Sequence, residues 1–434
     1  MTSGAKDDRQ KALFANRTLT NESILCTIVT NKAKDAEIVN YMNAQRYDID
    51  DEPETPTDAL HRASLYPDQL GVLSSTRPVV ELGELVWINA ESIHALQEQL
   101  LTFIRRAQQS QMSQQIERVP AGSADEQAGA INRVPTAGPG WDTRYHFFDG
   151  TERTVNWLLL LDALNFCFWA EKDQPRWSVE YRGERLNGYW AEAAALTRAV
   201  EEGYALWDAH YLSEISSADM AAIFRGAPST KGADTIDPVS MPVQIPLFEQ
   251  RLANAREVGR VLLERFDGQF AHIIEEARGS AVRLALLLAE HFPSFRDVAS
   301  FRGQEVRFFK RAQICVADLY GAFGGKRWGA FTDMDQLTIF ADYKLPQLLR
   351  HAGVLEYHPT LAERIDRLEL LEPGSEEEVQ IRAATVWACE LLRQAMNAAG
   401  YEPVTAADID QQLWLLSQSI VDMRPYHRVR TMYY

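Results

Sequence analysis

The chain has 434 residues, 46% hydrophobic and 10% aromatic, enough to bury a large core in one large domain or two to three ordinary ones. Its 44 basic residues face 61 acidic ones, for a net charge of −17. That charge argues against long nucleic acids and anionic membranes as partners, which need cationic stripes that release counterions. A small anion remains open, because two or three local Arg or Lys residues can hold one phosphate.

Residues 1–72 are polar, contain the acidic stretch YDIDDEPETPTD (47–58) and show only short apolar clusters. They read as a loosely attached extension, and 73–434 as the working domain. Across 79–104 an apolar strand-like piece leads into an amphipathic helix. Residues 107–140, rich in Gln, Ser, Gly and Pro, have the composition of a loop or mobile insertion. From 154 onward helices dominate. TVNWLLLLDALNFCFW (154–169) is a buried aromatic-rich segment, SVEYRGERLNGYW has strand and turn chemistry, and 189–208 has strong helix propensity. Ser280 caps an apolar helix that Pro293 ends. Thr332 to Asp335 matches a capping box, so a helix is expected from about 333 toward Tyr343; Pro346 then opens another, with Gly353 as its C-terminal cap. Thr405 to Asp408 opens the last helix, with Ile409, Leu413, Leu416 and Ile420 as its core face. The expected class is mainly α, with a few strands near the amino end.

Cys26, Cys167, Cys315 and Cys389 form no CxxC pair and read as reduced, mostly buried thiols. The first residues lack the apolar core of a signal peptide, and the greasiest run, 157–170, is too short to span a bilayer. A soluble, cytoplasmic protein is expected. None of the nine histidines stands in HExxH or HxH spacing, so no metal is expected. Gly324-Gly325-Lys326 lacks the spacing and preceding strand of a P-loop and reads as a turn. No nucleophile elbow is present.

One carboxylate stands out. Asp342 lies between Phe340 and Tyr343 in an apolar pattern, where an unsatisfied charge costs several kcal/mol. At the junction of two helices, near the positive end of the second, it would be kept ionised and aimed into a cleft, suited to a reaction that develops positive charge on a sugar. The pattern equally allows Asp342 to cap the following helix or to pair with Lys344 or Arg350. On the last helix Asp410, Trp414 and Gln418 share one stripe that could read a flat, donor-rich heterocycle, or form a solvent-facing edge. At the end of the chain Arg424, His427, Arg428 and Arg430 crowd together, either to clamp a phosphate or to pair with surface carboxylates.

Together, TVNWLLLLDALNFCFW, DMAAIFRG, KRAQICVADLYG, LTIFADYKLPQLLRHAGVLEY, EVQIRAATVWACELL, DQQLW and PYHRVRTMYY resemble the queuosine salvage proteins from about residue 79 to the end. The resemblance implies an all-helical body related to helix-hairpin-helix DNA glycosylases. It further implies hydrolysis of queuosine 5′-phosphate to queuine and ribose 5-phosphate, in service of tRNA modification, without metal or other cofactor. By the same resemblance Asp342 is the catalytic carboxylate and Phe340 lines the nucleobase site. Asp410 and Trp414 match a second base-binding segment, and Tyr343 joins the aromatic walls. His427 and Arg430 are candidate phosphate contacts. Residues 1–72 and 107–140 fall outside the resemblance, and His94 and His146 are further candidate ligand contacts. A glycosylase acting on DNA or another nucleoside, and a non-catalytic helical binding protein, are the alternative readings.

Overall fold

The computed structural model describes residues 68–116, 142–227, 243–399 and 404–434, with backbone alone over 107–116. The expected extension falls almost wholly outside the described residues, although Leu70 and Val72 are already fully buried in the core. Helix α1 (Val72–Leu82) takes up the first part of the segment expected to be a strand, leaving β1 (Val86–Ile88). Helix α2 (Glu91–Ile116) runs ten residues past the point where an insertion is expected; 117–140 lie outside the described residues.

Helix α3 (Glu152–Leu164) is capped by Thr151, whose side chain accepts from the Arg153 N–H, and is buried on every side from Thr154 to Leu164. An all-round apolar helix has to be a core helix, and it packs on four others. A hairpin of β2 (Ser178–Tyr181) and β3 (Glu184–Asn187) follows, then α4 (Gly188–Glu201), α5 (Ala209–Glu214) and α6 (Ser217–Ile223). Next come α7 (Phe248–Arg265), α8 (Phe270–Ala277) and α9 (Ala281–His291), the last capped by Ser280 as expected. A second hairpin, β4 (Val298–Phe301) and β5 (Gln304–Arg307), leads into α10 (Lys310–Ala322). Helix α3 packs against both α7 and α10.

The chain then continues through α11 (Lys344–His351), β6 (Leu355–Tyr357), α12 (Pro359–Asp366) and β7 (Leu370–Leu371). Helix α13 (Glu376–Ala398) is almost continuously buried, and α14 (Ala406–Ser419) has the expected capping box of Thr405 and Asp408. Strand β8 (Arg428–Val429) pairs in parallel with β7, and β1 pairs antiparallel with β6, Trp87 opposite Glu356. The class is mainly α, but the strands are scattered in two-stranded pieces along the whole chain, not gathered near its amino end. Both hairpins turn on Arg-Gly with two successive positive φ angles, 49° and 81° at Arg182-Gly183, 48° and 80° at Arg302-Gly303. That is the primed turn that matches strand twist.

The helix expected from about 333 does not form. Asp333 turns back to cap α9 instead, accepting from Ser280 Oγ at 2.6 Å and from the Ala281 N–H at 2.5 Å. A single 3-10 turn, Met334–Gln336, precedes a stretch without regular secondary structure that leads to Tyr343. Pro346 does sit in the first turn of α11. Gly353, at φ 74°, ends it, with Val354 N–H donating to Leu349 O.

Candidate active site

The stretch 337–343 is not a strand of any sheet, yet Leu337, Thr338, Ile339, Phe340 and Ala341 are all buried. Buried backbone groups need partners, and here side chains from three helices supply them. Gln313 of α10 accepts from the Thr338 N–H at 2.8 Å and donates to its hydroxyl at 3.0 Å. Asp410 of α14 accepts from the Phe340 N–H at 2.8 Å. Arg382 of α13 donates to Ala341 O at 3.1 Å while binding Asp297 through both terminal nitrogens, at 2.9 and 2.5 Å. The stretch is therefore fixed by tertiary contacts, and it delivers Asp342 to the start of α11.

Asp342 does what its position permits: one oxygen, Oδ1, accepts from the Lys344 and Leu345 N–H groups at 2.8 and 2.9 Å. It does not pair with Arg350, which is bound to Asp366 at 2.8 Å. Oδ2 has no hydrogen bond to any described residue. Burial raises the Asp342 pKa, opposed first by the ammonium of Lys310 and then by the two capping N–H groups. Lys310 is buried at the first position of α10, its Nζ 3.4 Å from Asn165 O. Burial lowers its pKa, while the negative fields of Asp342, Asp410 and Asp162 act to keep it charged.

Asp410 is buried too, and its pKa lies well above the usual carboxylate range, from burial and from repulsion by Asp342. Behind Lys310 lie three more buried acids. Burial pushes Asp318 up to about 7 and Glu192 up to about 8. Asp162 is raised by burial and by Asp318. The Lys310 ammonium acts on all five acids, and Glu192 also faces the buried Arg251 guanidinium at 3.9 Å. All five carboxyl pKa values are raised, burial being the main cause in each.

The aromatic wall comes from α4 and α14. The Trp414 ring lies 5.9 Å from Trp190 and 6.4 Å from Tyr189. His146 is buried behind it, 2.8 Å from the Tyr189 hydroxyl, and burial lowers its pKa to about 4. His146 therefore stays neutral and orients Tyr189. Tyr343 faces away from this wall toward Tyr426, 4.8 Å between ring centres, among Phe166, Cys167 and Trp169.

The structure brings Phe340, Asp342 and Asp410 together, with Trp414 one turn further along α14 against Tyr189 and Trp190, and Tyr343 packed on Tyr426. It does not bring His427 or Arg430 there by any contact. His427 is buried against Tyr434, 3.3 Å from its hydroxyl, and burial lowers its pKa to about 3. Arg430 is exposed and ion-paired with Glu171. His94 is exposed on α2. Gln418, half-buried, bonds Ser417 Oγ at 3.3 Å. Sequence reading does not single out Lys310, Asp162, Asp318 or Glu192; an ionisable residue inside an apolar helical run is the signal that finds them.

Fold and site together define a mainly helical protein with an enclosed centre of acids, one ammonium and aromatic rings. Such a centre suits a small polar molecule. The profile of the queuosine salvage protein family matches residues 145–434. A protein of Sphaerobacter thermophilus named queuosine 5′-phosphate N-glycosylase/hydrolase is 44% identical over 368 residues, which is 85% of this chain and 98% of that one. Proteins of the same name from Mus musculus and Dictyostelium discoideum are 37% and 36% identical; each alignment covers 65% of this chain, and 82% and 79% of theirs respectively. The chain belongs to the queuosine salvage protein family.

Proposed function

We propose that this chain hydrolyses the N-glycosidic bond of queuosine 5′-phosphate, adding water across C1′–N9 to give queuine and ribose 5-phosphate. The shared name of its relatives supports the substrate, and the site supports the chemistry. One observation carries the role of Asp342. Its Oδ1 is held by two backbone N–H groups, so its Oδ2 remains available to a substrate while the carboxylate itself cannot swing away.

As the bond to the base lengthens, positive charge grows at C1′ and the ring oxygen. The Asp342 carboxylate stabilises that charge or attacks C1′ itself, and water completes the displacement. The Lys310 ammonium favours the ionised form of Asp342 against the upward pull of burial. The departing base must gain a proton. Queuine has carbon where purines carry N7, so help comes through its other edges. Asp410 accepts from the Phe340 N–H with one oxygen, burial favours its neutral form, and its second oxygen is available for that edge. Phe340 and Trp414 flank the base, with Tyr343 toward the sugar.

The finer fold relation, to helix-hairpin-helix DNA glycosylases, belongs to the same proposal, as does the division at residue 72. The −17 charge supports a mononucleotide substrate over a DNA duplex, which a basic face would serve. Among the described residues no helix is long and apolar enough to cross a membrane, and Cys167, Cys315 and Cys389 are free and buried. These features support a cytoplasmic setting. Chromatography after incubation with queuosine 5′-phosphate tests the proposal: queuine and ribose 5-phosphate are expected in equal amounts, and unchanged substrate would refute it.

A further inference from the structure

Lys310 and Asp342 act on each other through their charges, yet among the described residues no hydrogen bond or ion pair joins their side chains. Their separation is therefore set by the backbones that carry them, and one buried ion pair grips both. Asp297, just ahead of β4, accepts from the Lys310 N–H at 3.2 Å through Oδ2. Its carbonyl accepts from the Phe308 and Phe309 N–H groups at 3.0 and 3.1 Å, so Asp297 holds the entry to α10. The same carboxylate is forked onto Arg382 Nη1 and Nη2, and Arg382 Nε donates to the carbonyl of Ala341, the residue before Asp342. Two side chains, Asp297 and Arg382, thus link the backbone at 310 to the backbone at 341.

The bridge has little freedom of its own. Both of its side chains are buried. The guanidinium carbon lies 3.9 Å from the Phe308 ring centre and 4.4 Å from that of Tyr434. Tyr434 is pinned at two points, its hydroxyl donating to Glu378 Oε1 at 2.8 Å and its carbonyl accepting from the Cys167 N–H at 2.9 Å. A planar fork can serve a carboxylate and a carbonyl together, which an ammonium on a flexible stem cannot do in this geometry.

We infer that Arg382 is a positioning residue for catalysis: bridged to Asp297 and covered by the ring of Tyr434, it fixes the distance between the Lys310 ammonium and the Asp342 carboxylate. This rests on the proposed hydrolysis. The attraction between the two charges falls with separation, and it favours the ionised carboxylate that steadies charge at C1′. Asp342 is also faced by Lys344 of its own helix, by Asp410 of α14 and by the Cys389 thiol of α13, and the bridge touches none of these. Loosening the bridge lets the ammonium retreat, so the carboxylate takes up its proton at higher pH.

The test measures kcat and KM on queuosine 5′-phosphate across pH for the full chain, Arg382→Lys, Tyr434→Leu and Tyr434→Phe, each well below its melting temperature. Arg382→Lys keeps the charge and breaks the fork. Tyr434→Leu loosens the fork without changing a charge, and it decides the matter should Arg382→Lys fail to fold. Both are expected to lower kcat roughly tenfold or more with KM within about twofold, and to move the acid limb of the kcat profile to higher pH. Tyr434→Phe, which keeps the ring, recovers most of that loss. A bridge that only holds the fold together lowers the melting temperature and leaves kcat and the acid limb where they were. That result, or an equal loss of kcat in Tyr434→Phe, overturns the inference. Should the full chain leave queuosine 5′-phosphate uncleaved, the hydrolysis itself fails, and carbon-13 NMR of the aspartate-labelled chain decides the bridge separately. The Asp342 carboxyl signal, identified by its loss in Asp342→Asn, is expected to titrate at higher pH in Arg382→Lys and Tyr434→Leu than in the parent; one shared midpoint overturns the inference.

Discussion

Asp342 both caps α11 and faces the centre of the site, and two substitutions separate these roles. In Asp342→Asn the amide oxygen can still accept from the Lys344 and Leu345 N–H groups, now 2.8 and 2.9 Å from Oδ1, so the cap survives. The change removes a negative charge whose burial is unfavourable but also the strongest counter-field of buried Lys310, and the variant should melt above Asp342→Ala because it keeps the cap. Hydrolysis is another matter: losing an electrostatic partner aimed at developing charge costs at least about a hundredfold to a thousandfold in kcat. Asp342→Ala should lose the same activity and, in addition, about 1 kcal/mol of stability with the cap. Product chromatography and thermal melts of both variants give the four numbers needed. Full activity in Asp342→Asn would refute the catalytic role, and equal melting of the Asn and Ala variants would refute the cap.

Glu192 is predicted to make stability depend on pH. Its carboxyl is pushed from 4.5 to about 8, so across that window the unfolded chain releases a proton that the folded chain keeps. Stability therefore falls as pH rises through it, and Glu192→Gln should gain on the parent by up to roughly 5 kcal/mol between the two ends, read from urea melts; parallel curves would count against it. Arg382→Met breaks the buried pair with Asp297 and frees Ala341 O, for an expected loss of about 3–5 kcal/mol; a melt within error of the parent would contradict that account. Trp414→Ala removes one ring of the proposed base site and should weaken queuine binding roughly tenfold, measured by calorimetry, with unaltered affinity as the contrary result.

Local chemistry was legible wherever a side chain acts on its own neighbourhood. Ser280 and Thr405 cap the helices they precede, and Gly353 ends α11, because those contacts span a few residues. The Thr332–Asp335 match failed for the same physical reason read in reverse. The helix start at 280 competes for an acid brought 53 residues in sequence, and it takes Asp333. The second hairpin, VASFRGQEVR, repeats the Arg-Gly turn of the first and was readable on that ground, though alternation over four residues is a weak signal.

By itself the sequence determined the class, the capped helices, the core segment at 154–164 and the odd acid at 342. Those follow from composition, periodicity and contacts over one or two turns. Only the tertiary structure decided that side chains of α10, α13 and α14 hold the stretch at 337–341 by its backbone, that Lys310 lies in the fields of Asp342, Asp410 and Asp162, and that Arg430 pairs with Glu171. The reason is that solvation and charge pairing depend on what lies within a few ångströms in space, and residues 162, 310, 342 and 410 become neighbours only when the helices pack.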